Sequence, residues 1–278
     1  MGAPEIVIGL HPITATLGAE VSGVDLADMD GATFDQLRKA WMDHKVLVIR
    51  DQHITREQHM AFGRRFGDLE VHPFVPDETG GTLPPEIVRL ESSADRQVAA
   101  SIWHSDVTWR REPSMGSILR GVVIPQVGGD TVFSDTTAAY ERLPERWKDR
   151  IDGLSAIHDF TASFGQGLSP EELVQKQEEY PPTSHPVIRT HPETGARGIY
   201  TNRNFVSHVQ GVGADESRAI VNRLQRAIMD PSVQCRIRWE VDMFVMWDNR
   251  CVQHFATNDY WPEARVVERV TVVGDRPF

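Results

Sequence analysis

Three residues of this sequence have the types and spacing to hold a metal ion. His104 and Asp106 stand two positions apart in Ile102-Trp103-His104-Ser105-Asp106. In extended chain that spacing turns both side chains to one face, where a single cation could touch both. A second histidine, His254, ends the string Trp247-Asp248-Asn249-Arg250-Cys251-Val252-Gln253-His254, and a closed sheet would return it beside the first pair. Two imidazoles and one carboxylate occupy one face of an octahedral ion and leave three positions open, the donor set that suits Fe(II) and oxygen chemistry. His-X-Asp alone recurs by chance, and polar residues on a half-exposed strand would account for it.

Arg265 shifts that balance. It follows His254 by eleven residues, on a run whose alternation sends Arg265, Val267, Arg269, Thr271 and Val273 to one side. Two arginines among branched apolar residues do not describe a solvated surface. A 2-oxoglutarate molecule chelates iron through its keto oxygen and adjacent carboxylate, and its far carboxylate then needs a guanidinium fork. Thr131, after Gly128-Gly129-Asp130, offers a hydroxyl to the same oxygens. Arg269 faces the same interior as Arg265, where an unpaired guanidinium is costly. It either receives an anionic substrate or bridges an internal carboxylate such as Asp248.

Other candidates read more plainly. His72 precedes Pro73 in a Pro- and Gly-rich segment, where a lone histidine is usually a loop residue. His185 and His191 flank a strand and fit structural positions, and Cys251 is a packed thiol, since no second pair completes a zinc site with it. Phe164 and Phe205 have the character of core residues.

The elements that must position these groups announce themselves by caps and β-rich runs. Capping boxes at Thr33 with Gln36, Thr55 with Gln58, and Ser169 with Glu172 behind Pro170 predict three helices, and a fourth spans Asp215 to Met229. Strands are predicted over Lys45 to Arg50, Ile118 to Ile124, Thr131 to Ser134, Arg236 to Glu240, Phe244 to Trp247 and Arg265 to Val273. Short strands separated by turns such as Val127-Gly128-Gly129-Asp130 suggest a closed or sandwiched antiparallel sheet. The fold class expected is β-rich α+β, with a jelly-roll core and flanking helices. No repeat or linker divides the chain, so residues 1–278 are expected to form one domain. The segment 161–180, with Phe164-Gly165-Gln166-Gly167-Leu168 ahead of a charged helix, has the composition of a lid or of a plain connector.

Composition removes several function classes. A formal charge of -11, from 29 Lys plus Arg against 40 Asp plus Glu, opposes a nucleic-acid backbone, and no basic stripe offsets it. It does not exclude an anionic substrate, because arginines in a cleft outweigh distant, screened carboxylates. No apolar stretch is long enough to span a bilayer, and the N-terminal residues do not read as a signal peptide. Cys235 and Cys251 are too few for a disulfide framework. A cytoplasmic protein is the expectation, alone or as a homo-oligomer.

Several strings together resemble a known family. Trp103-His104-Ser105-Asp106-Val107-Thr108, Gly128-Gly129-Asp130-Thr131, His185-Pro186-Val187-Ile188-Arg189-Thr190-His191-Pro192, Trp247-Asp248-Asn249-Arg250 with His254, and the pair Arg265 and Arg269 resemble the taurine dioxygenase (TauD/TfdA) family, in matching order from about Leu17 to Pro277. The resemblance implies a double-stranded β-helix, Fe(II) and 2-oxoglutarate as cofactor and co-substrate with O2, and small organic anions as substrates. His104, Asp106 and His254 would be the iron ligands, Thr131 and Arg265 would hold 2-oxoglutarate, and Arg269 would pair with the substrate anion. His72, Val107, Ser163, Phe164 and Phe205 fall where the taurine enzymes line the substrate pocket. Where those enzymes carry a tyrosine and an asparagine, this chain has Val75 and Ala100, which points away from taurine and toward a bulkier or more apolar substrate. The expected activity is hydroxylation of a sulfonate, alkyl sulfate or similar anion with release of succinate and CO2, with an aryloxyalkanoate or other carboxylate as the alternative. A zinc hydrolase and a catalytically silent anion-binding jelly roll are the rivals from other classes, and neither accounts for Arg265 together with Thr131.

Overall fold

Val46-Leu47-Val48-Ile49 is an unbroken apolar run, and residues 265–272 near the chain's end are buried along their whole length. Strands covered on both faces read this way, without the alternation of a sheet that has one wet side. A computed structural model describes residues 8–74, 81–96 and 101–278. Its first half runs β1 (Gly9–Pro12), β2 (Ala19–Ser22), α1 (Gly31–His44), β3 (Val46–Ile49), α2 (Arg56–Arg64), β4 (Val88–Ser92), β5 (Gly116–Val123) and β6 (Thr131–Asp135). Then come α3 (Thr136–Glu141), α4 (Glu145–Ile151), β7 (Ser155–His158), α5 (Thr161–Phe164), α6 (Pro170–Glu179), β8 (Thr183–Pro186), β9 (Ile188–Thr190), β10 (Arg197–Ile199) and β11 (Val206–Val209). The chain finishes with α7 (Ala214–Ile228), β12 (Gln234–Ile237), β13 (Phe244–Asp248), β14 (Val252–Ala256) and β15 (Arg265–Val272).

Two sheets frame the site. The larger has seven strands in the order β1-β2-β3-β13-β5-β15-β4, and the smaller has three in the order β12-β6-β14. Their inner faces share one apolar cluster, to which Val48, Leu119, Trp247 and Val267 come from the large sheet and Phe133, Ile237 and Val252 from the small one. On its other face the large sheet is covered by α1 and α2, whose Phe34, Leu37, Trp41, Met60 and Phe62 meet Leu47, Ile49, Phe244 and Val270. Each such side chain contributes roughly 1.5–3 kcal/mol when fully buried. Helices α3 and α7 cover a third cluster that takes in Ala156, Ile188 and Ile199. No helix among the described residues is long and apolar enough to cross a membrane.

The capping boxes at Thr55 and Ser169 form as expected. The first helix starts differently: Asp30 is its cap, its carboxylate accepting from the Thr33 amide at 2.7 Å, while Gln36 Oε1 accepts from the Ile8 amide. A carboxylate outcompetes a threonine hydroxyl for the orphan amides at a positive helix end. The strand expected over 236–240 is shifted to β12, because beyond Ile237 the chain leaves the ladder and Trp239 turns inward. The 161–180 segment is largely helical, and Phe164, Leu168, Leu173 and Tyr180 pack on the cluster of Val107, Trp109, Phe160 and Phe205.

Buried histidines tie this core to pH. His59 is fully buried on α2, with Nε2 on the Ile118 carbonyl at 3.0 Å and its ring edge-on to Phe244. Burial lowers its pKa from 6.5 to about 4. The unfolded chain therefore binds a proton that the folded one refuses, so stability is complete above pH 6.5 and is lost as pH falls toward 4. For His59 the loss is about 3 kcal/mol. Urea unfolding at pH 7 and pH 4.5 should show a smaller acid-side loss in His59→Gln than in the parent, and equal losses would refute this account.

Candidate metal centre

His104 and His254 meet across an isolated antiparallel bridge: the His104 amide donates to the His254 carbonyl at 3.1 Å, and the reciprocal bond is 2.8 Å. Strand β14 supplies His254, and its pairing with β6 fixes the ring against Phe133 and Trp247. Asp106 is not in extended chain, contrary to the expectation from its spacing. The backbone turns over residues 106–109, with Val107 at φ +46°. A left-handed conformation at a β-branched residue costs about 1–3 kcal/mol, and the turn brings the carboxylate back under the histidine bridge.

The three side chains converge. His104 Nε2 lies 3.7 Å and His254 Nε2 4.0 Å from Asp106 Oδ1, and the three candidate ligand atoms all fall within 4.8 Å of one another. His104 Nδ1 sits 2.7 Å from the Ile102 carbonyl, which can only accept, so Nδ1 carries the proton and Nε2 keeps its lone pair toward the centre. Burial holds both imidazoles below their ordinary pKa, His254 at about 3, so both are neutral and able to ligate. Burial would raise Asp106, but the Arg269 guanidinium and the Ser117 hydrogen bond outweigh it and hold the carboxyl well below the usual range. Ser117 Oγ donates to Asp106 Oδ2 at 2.8 Å, which leaves Oδ1 as the oxygen facing the imidazoles.

Arg269 Nη1 is 3.0 Å from Asp106 Oδ1. Its internal carboxylate is therefore Asp106 and not Asp248, which is taken by Arg250 at 2.7 Å and His191 at 2.9 Å. The Arg269 Nε is buried with no hydrogen-bond partner. Arg265 is buried with its Nε on the Gly129 carbonyl at 3.0 Å, and no carboxylate pairs with it among the described residues. Burial holds its guanidinium below the usual value. Thr131 Oγ1 accepts the Trp239 indole N–H at 2.9 Å and so retains its own proton to donate. A glycine is required at 129: its φ is +73°, and a Cβ would stand 3.0 Å from Arg265 Cδ.

A cavity of ≈ 90 Å³ between the two sheets is lined by His104, Asp106, His254, Thr131, Arg265 and Arg269, with Leu119, Tyr260 and Val267 among its walls. The donor set, the free lone pair on His104 and the unpaired Arg265 fit a divalent ion with a dicarboxylate beside it. His72, Val107, Phe164 and Phe205 lie outside that cavity. Val107, Phe164 and Phe205 belong to an adjoining aromatic cluster, in which Phe205 is 6.2 Å from the His104 ring and Phe164 is 5.6 Å from His72. Burial, then Arg269, pushes His72 down to about 3. Ser163 is engaged by the Asn204 backbone and side-chain oxygens. Val75 and Ala100 lie outside the described residues.

His191, Asp248 and Cys251 also bring candidate ligand atoms together. There His191 Nδ1 accepts the Glu193 and Thr194 amides, so Nε2 carries the proton and donates to Asp248. Arg250 fills the remaining carboxylate positions, and burial pushes the Cys251 thiol up. This is an ion-pair framework, as the structural reading of His191 and Cys251 anticipated. His185 likewise donates to the Arg110 carbonyl. Sequence reasoning missed Ser117 and Asn249, although Asn249 sits inside a string that it singled out.

Comparison with known proteins gives a consistent picture. The family model for the taurine catabolism dioxygenase TauD, TfdA family matches residues 10–271. An alkylsulfatase of Acinetobacter baylyi is 35% identical over 98% of this chain and 87% of its own length. An alpha-ketoglutarate-dependent sulfate ester dioxygenase of Pseudomonas putida is 34% identical over 97% of this chain and 91% of its own. The crystal structure of a taurine dioxygenase from Burkholderia xenovorans superposes with a TM-score of 0.82 at 34% identity, covering 97% of this chain and 92% of that one.

Proposed function

The chain belongs to the TauD, TfdA family of taurine catabolism dioxygenases, and from that premise we propose that it hydroxylates a small organic anion, a sulfate ester or sulfonate. It is a 2-oxoglutarate-dependent dioxygenase. We assign Fe(II) to His104, Asp106 and His254, the far carboxylate of 2-oxoglutarate to Arg265 and Thr131, and the substrate anion to Arg269. The observation that carries the reading is a buried guanidinium that no carboxylate among the described residues pairs with, in the same cavity as the triad. The two facing sheets support a jelly-roll core, and we treat the chain as one domain. Its two buried free cysteines suit the cytoplasm.

When bound, the iron would supply dioxygen activation coupled to decarboxylation of 2-oxoglutarate to succinate and CO2. The chain's own residues prepare the site. His104 and His254 present neutral nitrogens, Asp106 offers one anionic oxygen while Ser117 holds the other, and Leu119, Trp247 and Val267 keep water from the wall. Arg265 and Thr131 fix one end of the co-substrate and thereby its orientation. If the hydroxylated carbon bears the sulfate oxygen or sulfonate sulfur, the product collapses to a carbonyl compound and a released head group.

Two measurements test this. Anaerobic addition of Fe(II) and 2-oxoglutarate should give a weak visible band, which zinc or a metal-free binder would not. A chain-length series of alkyl sulfates and sulfonates should give substrate-dependent succinate, with the longer members preferred to taurine. Arg269→Gln should cut that activity roughly tenfold or more, because it removes a charge-assisted contact of about 1.5–3 kcal/mol. Equal turnover of neutral and anionic analogues would sink the substrate assignment.

A further inference from the structure

We propose that Asn249 is a positioning residue for the metal centre, holding Asp106 in the one backbone conformation that aims its carboxylate at the two histidines. The inference rests on Asp106 being a metal ligand. Asn249 is completely buried in the turn between β13 and β14. Its Oδ1 accepts the Asp106 amide at 2.7 Å, and its Nδ2 donates to the Asp106 carbonyl at 2.9 Å and to the Ser114 carbonyl at 3.1 Å. One side-chain amide thus satisfies both backbone groups of Asp106, as a neighbouring strand would, at a point where no strand runs.

The clamp is needed because the residue that follows resists the turn. Val107 has φ +46°, a region that β-branched side chains avoid. Released from Asn249, the chain would relax toward negative φ and swing Asp106 away from His104 and His254. Asn249 is itself held firmly. Its backbone amide donates to the Met115 carbonyl at 2.9 Å, and the preceding Asp248 accepts from the Arg250 amide and guanidinium and from His191. The buried framework of Asp248, Arg250 and His191 therefore serves as the footing of the clamp, which gives a use to a cluster whose polar atoms are already engaged with one another. Ser117, on β5, then sets the carboxylate's rotation by holding Oδ2.

The test uses the full chain and Mn(II) alone, with free Mn(II) read by its paramagnetic resonance signal and folding by thermal denaturation. Asn249→Ser should weaken Mn(II) affinity about 10–100-fold in protein that remains folded. Adding Val107→Gly, which tolerates the left-handed turn without a clamp, should restore most of that affinity. A residue that only stabilises the fold would lower the melting temperature and leave affinity unchanged, and that outcome, or no rescue by the glycine, overturns the proposal. If Asn249→Ser does not fold, Asn249→Asp keeps the size and the acceptor for the Asp106 amide while losing both donated bonds. It should weaken binding in the same direction, and unchanged affinity would again count against the clamp. Asp106→Ala separates the two levels: Mn(II) binding as tight as in the parent would remove the ligand assignment itself, whatever Asn249 does.

Discussion

Alanine at His104, Asp106 or His254 is expected to lower metal affinity and substrate-dependent succinate formation by more than about 100-fold, beyond what losing an outer hydrogen-bond partner of a ligand does. Each change removes one of the three candidate donors found together among the described residues, whose atoms lie within 4.8 Å of one another. The three variants should differ in stability. Asp106→Ala leaves the Arg269 guanidinium buried without its partner at 3.0 Å, and breaking a buried pair from one side costs about 3–5 kcal/mol. Neither histidine carries a charge to strand, since burial keeps both neutral, so their alanine variants should melt closer to the parent. Asp106→Asn keeps an oxygen for Arg269 and should recover stability without recovering turnover. Metal content by elemental analysis, succinate yield and thermal denaturation read the three quantities apart, and full activity in any alanine variant would dismantle the triad.

The parts of this site that sequence could deliver are those set by residue type and by strand period. Arg265, Val267 and Arg269 do line one cavity, because alternation along β15 is a property of the strand itself. His104 and His254 do converge, but across an isolated antiparallel bridge rather than within one closed sheet. The pose of Asp106 was beyond reach, since it depends on a side-chain amide 143 residues away in the chain and on a positive φ at a valine, which no local propensity favours. The internal partner of Arg269 was out of reach for a similar reason: Asp248 stood as the example of a carboxylate it could bridge in place of a substrate anion, but Arg250 and His191 had already satisfied that one, and Arg269 meets Asp106 instead. At α1 two caps competed within three residues, and the charged one prevailed. Contacts between distant polar groups leave no periodic trace in a sequence, whereas apolar faces do.

Arg265→Leu should raise the 2-oxoglutarate requirement by roughly 100- to 1000-fold or more, the equivalent of about 3–5 kcal/mol for a buried carboxylate deprived of its charged partner. The folded protein should not suffer in proportion. Arg265 makes one hydrogen bond to the Gly129 carbonyl and no ion pair among the described residues, so leucine also removes a desolvated charge whose burial already disfavours it. Mn(II) binding in the absence of co-substrate should be unchanged, because Arg265 stands four residues along β15 from Arg269, about 13 Å at the rise of a strand, and makes no hydrogen bond or ion pair with the triad. Arg265→Lys should recover little, since an ammonium cannot reproduce the two parallel bonds of a guanidinium fork. A milder effect in the same direction is expected from Gly129→Ala, whose Cβ would press on Arg265 Cδ from 3.0 Å and displace the guanidinium without deleting it. An unchanged apparent affinity for 2-oxoglutarate in Arg265→Leu would mean that the far carboxylate is held elsewhere, and the guanidinium beside Thr131 would then need another explanation.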